Sequence, residues 1–206
     1  MVANAVVHVI DDDEGVRHAL AFLLATSGIA VRVHESGTAF LENAGELQGG
    51  CILTDVRMPG IDGLALQRRL IELGINVPVI VMTGHADVPL AVEAMKAGAI
   101  DFIEKPFDEA VLLTAIRSAI ERYDELGRRE AEAAQVAAKL NALSVRERQV
   151  LDGLVVGRPN KTIAYDLEIS PRTVEIHRAN VMTKMGASSL SGLVKMALLA
   201  GLIPEK

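Results

Sequence analysis

Tryptophan is absent from this chain, and aromatic residues make up only 3% of it. Any core is therefore aliphatic, and a platform of stacked rings for single-stranded nucleic acid is not expected. A single Cys rules out an intrachain disulfide and any multi-Cys zinc site. The longest uncharged stretches, His18–Val31 and Leu73–Ala86, hold 14 residues each and contain Gly and polar side chains. Neither reads as a membrane span. No basic region precedes the short apolar run that reaches Asp11, so the N-terminus does not read as a signal peptide. A cytoplasmic protein with no membrane partner is the expectation.

The chain has 206 residues, half of them hydrophobic and 23% charged, which is ordinary for a folded protein and far from disorder. Its net charge of −6 is unevenly spread: residues 1–124 carry −9, residues 125–139 are neutral, and residues 140–206 carry +3. An acidic front and a basic back predict two domains with different partners.

The front alternates short apolar runs with amphipathic stretches. Ala5–Ile10, Ala30–His34, Cys51–Thr54, Val77–Met82 and Asp101–Glu104 read as strands. Helical patterns lie near 14–27, 36–44, 62–73 and 86–97, and another begins at Asp108. Strand and helix in strict alternation predict βαβ units around a parallel sheet. From Glu109 to Leu140 there is no Pro and one Gly, and 121–139 is rich in Ala, Glu and Arg. The last helix of the first domain is therefore expected to run into a helical linker, with any break at Gly127. The alternative is a flexible charged tether. The expected boundaries are 1–123, a linker over 124–140, and a second domain over 141–206.

Acidic residues gather at predicted strand ends. Asp11, Asp12 and Asp13 follow the first strand and Asp55 follows the third. In a doubly wound sheet with these strands adjacent, both groups reach the carboxyl edge beside the switch point, where such folds bind ligands. Converging carboxylates need a cation, and their oxygens suit a hard one such as Mg²⁺. Lys105 arrives at the same edge after the fifth strand, and Thr83 ends the fourth. Carboxylates, a hard cation, an ammonium and a hydroxyl make a site for a phosphoryl group, with one carboxylate as nucleophile. Asp13 and Asp62 read as helix caps. Cys51, in an apolar strand, reads as core. His85 reads either as a tuner of access to the site or as a solvated loop residue.

The runs Asp11-Asp12, Thr54 to Gly60, Met82-Thr83-Gly84 and Lys105-Pro106-Phe107 resemble the receiver domain of bacterial response regulators. That resemblance covers residues 1 to about 124. It implies a flavodoxin-like (βα)5 fold with sheet order 2-1-3-4-5. It implies that Asp55 accepts a phosphoryl group from a sensor histidine kinase. Asp12, Asp55 and the backbone carbonyl of Arg57 would bind Mg²⁺, with Asp11 nearby. Thr83 and Lys105 would contact phosphoryl oxygens, Phe102 would be an aromatic switch partner of Thr83, and Lys105–Pro106 would be cis.

From Asn141 onward the pattern is purely helical. Ser144 and Glu147 make a capping box opening a helix to about Val156. A short helix near 161–167 and a tight turn at 168–170 precede Pro171, placed at a helix N1 with Ser170 as its cap. That helix ends near Gly186, and Ser188 or Ser189 caps another to about Ala200. Two helices joined by such a turn form a helix-turn-helix, a weak signal alone. The strings Leu143–Leu151, Asn160–Ala164 and Ile169–Arg178 resemble the LuxR-type DNA-binding domain, which strengthens it. Lys161, Arg172, Arg178 and Lys184 are candidate phosphate contacts. Thr173 shares their exposed face. Glu175 can accept from cytosine N4, and Ile176 or Ala179 can touch a thymine methyl. Glu175 alternatively pairs with Arg172 or Arg178, three residues away on the helix. His177 reads equally as a phosphate contact or as packing.

Receiver plus LuxR-type module resembles the NarL/FixJ family. This implies a transcriptional regulator, not an enzyme, that dimerises on phosphorylation, binds promoter DNA and works with RNA polymerase. The string Gly84–Pro89 and the stretch Ile169–Asn180 resemble its nitrogen-fixation branch, which implies an oxygen-sensing, FixL-like kinase. A regulator of another pathway in the same family is the alternative. Two readings from other classes are an Mg²⁺-dependent phosphatase with an Asp nucleophile and an adaptor with no DNA role. The first needs a general acid close after Asp55, where Val56-Arg57 offers none.

Overall fold

The computed structural model describes residues 5–44, 47, 49–84 and 88–203. The chain forms two compact units, residues 1–126 and 127–206.

The first unit contains strands β1 (Val6–Ile10), β2 (Ala30–His34), β3 (Gly50–Asp55), β4 (Val79–Thr83) and β5 (Asp101–Glu104). All pair in parallel, in the order β2-β1-β3-β4-β5. The helices are α1 (Glu14–Thr26), α2 (Gly37–Leu41), α3 (Gly63–Glu72), α4 (Val88–Lys96) and α5 (Glu109–Asn141). Both sheet faces are covered, which is why the central strands are apolar without a break. Val7, Val9, Leu53, Ile80 and Met82 share one core with Leu20 and Leu24 of α1 and Leu112 and Ile116 of α5. Ile10, Ile52, Val79 and Val81 point the other way, into a core with Phe40, Leu64, Leu66 and Leu70. Period-2 alternation thus divides each strand between two layers. The expected caps form: Asp13 accepts from the backbone N–H groups of Gly15 and Val16, and Asp62 accepts from Ala65. His85 lies outside the described residues.

The last helix of the first unit runs on through Gly127 without a break, as the helical-linker reading expects. α5 is one helix of 33 residues. A Gly in a helix interior costs only about 1 kcal/mol relative to Ala, and the Arg, Glu and Ala around it favour continuation. A flexible tether is excluded for the last turns of α5, where Val136 and Leu140 are buried in the core of the second unit.

That unit adds α6 (Val145–Val155), α7 (Asn160–Asp166), α8 (Pro171–Met185) and α9 (Leu190–Leu199). Ile163, Ala164, Val174 and Val181 pack with Val150, Leu151 and Leu193. α6 and α7 approach closely because Gly153 has no side chain: a Cβ there would lie 2.7 Å from Ile163 Cγ1. The Ser144–Glu147 capping box forms, Ser170 caps α8 with Pro171 at its start, and Gly186 ends α8 in the left-handed conformation. Ser189, not Ser188, caps α9.

A histidine pair sits in the receiver-like unit. His8 Nδ1 and His34 Nε2 are 3.0 Å apart, and both rings meet Phe40 edge-on. Burial first, then the charges of His34 and Arg32, push the His8 pKa down to about 4. His34 is lowered too, by burial and by Arg32. The unfolded chain then binds more protons than the folded one between pH 6.5 and 4, so stability falls as pH falls through that window. Wild-type protein should lose about 2 kcal/mol more than His8→Leu between pH 7 and 5, read from urea midpoints of the first unit.

Candidate functional site

Register brings the acidic site together. Ile10 pairs with Thr54 across β1 and β3, so Asp11 and Asp55 leave their strands side by side. Asp55 pairs with Met82, and Thr83 pairs with Glu104, which places Lys105 one residue beyond the same edge. The Lys105 backbone N–H donates to the Thr83 carbonyl at 2.7 Å, and the Lys105–Pro106 bond is cis.

The Lys105 ammonium donates to Asp55 Oδ1 at 2.5 Å and to Asp11 Oδ2 at 2.7 Å. Both carboxylates are buried, Asp11 at 1% and Asp55 at 8% exposure. Such a cation is what two buried like charges require. Burial alone would lower the Lys105 pKa. The hydrogen bonds to Asp11 and Asp55, and then their charges, outweigh it and hold the ammonium above its usual range. Asp55 Oδ2 accepts the Arg57 backbone N–H at 2.7 Å, and Asp11 Oδ1 accepts that of Asp13 at 3.0 Å. Two residues that no sequence pattern singles out support the edge. The Arg17 guanidinium donates to the Asp11 carbonyl at 2.7 Å. Gly63 lets α3 start directly against Asp55, since a Cβ there would run into the Asp55 carbonyl oxygen.

Asp12 is exposed. Among the described residues, no three or more His, Cys, Asp or Glu side chains are placed to hold a metal ion. The donors nevertheless fit Mg²⁺, which keeps several waters and takes one or two carboxylates together with phosphate oxygens.

Thr83 is buried at 1% exposure and Phe102 is half-buried. Phe102 pairs with Val81, two residues before Thr83, so Thr83 and Phe102 share one face of the sheet.

In the second unit, Lys161, Arg172, Glu175, Ile176 and Ala179 are exposed, while Thr173 and Arg178 are half-buried. The Thr173 hydroxyl lies 2.8 Å from that of Ser170, so it takes part in the α8 cap. Among the described residues, no ion pair joins Glu175 to Arg172 or Arg178, so its carboxylate stands clear of the alternative pairing. His177 is half-buried with a buried, unpartnered Nδ1.

Lys184 also makes contacts within the unit. Its ammonium donates to Glu147 at 2.7 Å and to the Ala142 carbonyl at 3.3 Å. This hydrogen bond, then that from the Ser144 backbone, holds the Glu147 pKa down to about 2. Helical spacing places Lys184 among the candidate phosphate contacts, on the exposed face of α8. The structure also uses it to tie the end of α8 to the start of α6. Lys184→Met should lower the thermal midpoint of the second unit and raise the Glu147 pKa. It should leave the slope of log K against log salt for DNA unchanged, whereas a lost phosphate contact would reduce that slope by about 1.

The family model for the response regulator receiver domain matches residues 7–117, and that for bacterial regulatory proteins of the luxR family matches residues 141–197. Transcriptional regulatory protein FixJ of Azorhizobium caulinodans is 61% identical over 198 residues, covering 96% of this chain and 94% of that protein. The chain belongs to the NarL/FixJ family of response regulators. FixJ of Rhizobium meliloti is 55% identical, with 97% of this chain and 98% of that protein covered. The crystal structure of full-length FixJ from B. japonicum matches with a TM-score of 0.62 and 49% identity, over 98% of this chain and 99% of that one. The response regulator StyR matches with a TM-score of 0.83 and 39% identity, over 94% and 98%. As a family member the chain is a phosphorylation-activated, DNA-binding transcriptional regulator. Membership sets aside both the phosphatase and the adaptor without DNA. Receiver domains use Mg²⁺ for phosphorylation, bind a sensor kinase and act on DNA through the luxR-type unit.

Proposed function

We propose that Asp55 is the phosphoacceptor and that its modification drives dimerisation and promoter binding. The observation that carries this is the pair of buried carboxylates, Asp11 and Asp55, held at one strand edge by Lys105. An Asp55 oxygen attacks the phosphorus of the kinase phosphohistidine. The P–N bond breaks, and the imidazole leaves with the electron pair and takes up a proton. Asp11, Asp12, Asp55 and the Arg57 carbonyl would hold Mg²⁺, which when bound neutralises charge on the phosphoryl oxygens. Lys105 then donates to a phosphoryl oxygen.

The new group adds about −1.5 to −2 charges beside Lys105 and Thr83. Thr83 turns its hydroxyl to the phosphoryl oxygens, and Phe102, on the same sheet face, fills the space behind it. The altered surface pairs two receivers, and the dimer offers two α8 helices to two half-sites. Lys161, Arg172 and Arg178 hold phosphates. Thr173, Glu175, Ile176 and Ala179 lie at the base edges. RNA polymerase is the partner at the promoter, in the cytoplasm. Similarity to the FixJ relatives favours control of nitrogen fixation, and the resemblance of the Gly84–Pro89 and Ile169–Asn180 stretches implies an oxygen-sensing, FixL-like kinase as donor. Acetyl phosphate with Mg²⁺ should convert the full chain to dimers that retain promoter DNA. An unchanged mass and DNA affinity, with the phosphoryl group on the protein, would overturn the mechanism.

A further inference from the structure

Arg17 is a cation in an unfavourable place. It lies in the first hydrogen-bonded turn of α1, where its backbone N–H donates to the Asp13 carbonyl at 3.0 Å. The helix dipole opposes a positive charge at that end. Arg17 is half-buried and enters no ion pair among the described residues. Its guanidinium instead donates to a backbone oxygen, the Asp11 carbonyl, at 2.7 Å. Stability alone gives no reason for a cation there.

That bond completes the hold on Asp11. The Asp11 N–H donates to the His34 carbonyl at 3.3 Å, Oδ1 accepts the Asp13 N–H at 3.0 Å, and Oδ2 accepts the Lys105 ammonium at 2.7 Å. The Asp12 side chain is exposed and enters no ion pair among the described residues. Where its Cα–Cβ bond points therefore depends on the backbone of the loop. The Asp11 carbonyl and the Asp12 N–H belong to one planar peptide unit, so a donor that fixes the carbonyl also fixes the plane from which Asp12 departs.

We infer that Arg17 is a positioning residue for Mg²⁺: by holding the Asp11–Asp12 peptide it sets Asp12 to take the ion together with Asp11 and Asp55. This rests on the reading of those carboxylates as the Mg²⁺ ligands. Groups that orient the ligands of a metal typically matter about 10- to 100-fold for its affinity. The charge of Arg17 acts in the other direction, because a guanidinium beside the site repels a divalent cation. Positioning and repulsion thus predict opposite signs when Arg17 is removed.

The test titrates ¹⁵N-labelled full-length protein with MgCl₂, without phosphodonor, and follows the amides of Asp12 and Asp13. Arg17→Met keeps most of the stem and loses the charge and the donors. It should raise the Mg²⁺ dissociation constant about tenfold or more. Arg17→Lys keeps the charge and a donor, and should fall between Arg17→Met and wild type. With acetyl phosphate added, the half-saturating Mg²⁺ concentration should rise in the same order, while the rate at saturating Mg²⁺ stays within about twofold of wild type. Equal or tighter Mg²⁺ binding by Arg17→Met, beside a wild type that binds, would overturn the inference. A lower saturated rate with an unchanged dissociation constant would do the same, since it would mark a structural effect on the edge. A wild type that binds no Mg²⁺ would instead overturn the reading of Asp11, Asp12 and Asp55 as its ligands.

Discussion

Asp55→Asn should bring phosphoryl uptake from acetyl phosphate to background, a loss of about 10³-fold or more. The substitution keeps the shape of the side chain but removes the anionic oxygen that attacks phosphorus. Lys105 keeps Asp11 as a partner at 2.7 Å, so the edge retains one of its two ion pairs. The fold should therefore survive, and the circular dichroism of the variant should match wild type. Phosphate-dependent dimerisation and DNA binding should both disappear. Radiolabel uptake and light scattering on the same samples check this. A D55N variant that still dimerises on phosphodonor addition would place the acceptor elsewhere.

Arg172→Ala and Glu175→Ala should weaken DNA binding in distinguishable ways. Arg172 is exposed in the first turn of α8, beside the cap made by Ser170 and Pro171. As a phosphate contact, its loss should weaken all duplexes alike and reduce the salt slope by about 1. Glu175 is exposed and free of ion pairs with its arginine neighbours among the described residues. As a base reader, its loss should relax discrimination at one base pair by about 1–3 kcal/mol and leave the salt slope alone. Fluorescence anisotropy on duplexes selected from a random pool by the phosphorylated chain, at several salt concentrations, separates the two. Identical behaviour of both variants would return Glu175 to a surface role.

Much of this was legible because strand ends are marked by chemistry. Asp11, Asp55 and Thr83 each close a largely apolar run, Lys105 follows the last strand, and parallel pairing carries them to one edge. The capping residues Asp13, Asp62, Ser144 and Ser170 were legible for a similar reason: each acts within three residues of itself. What spacing does not show is contact over long separations. Lys184 looked like a free cation on a recognition helix because its partner, Glu147, lies 37 residues away. The brace from Arg17 and the clearance at Gly63 carry no pattern either, since only the folded loops bring them against Asp11 and Asp55. The helix through Gly127 was legible as well, because the Ala, Glu and Arg on both sides outweigh one glycine.

The central claim is that one carboxylate, Asp55, carries the phosphoryl group. Borohydride reduces an acyl phosphate to an alcohol, so the modified aspartate becomes homoserine and keeps its place in the chain. Full-length protein treated with acetyl phosphate and Mg²⁺, reduced, digested and sequenced by mass spectrometry should show homoserine at position 55 alone. Homoserine at position 11 or 12, or none in protein that has dimerised, would contradict it.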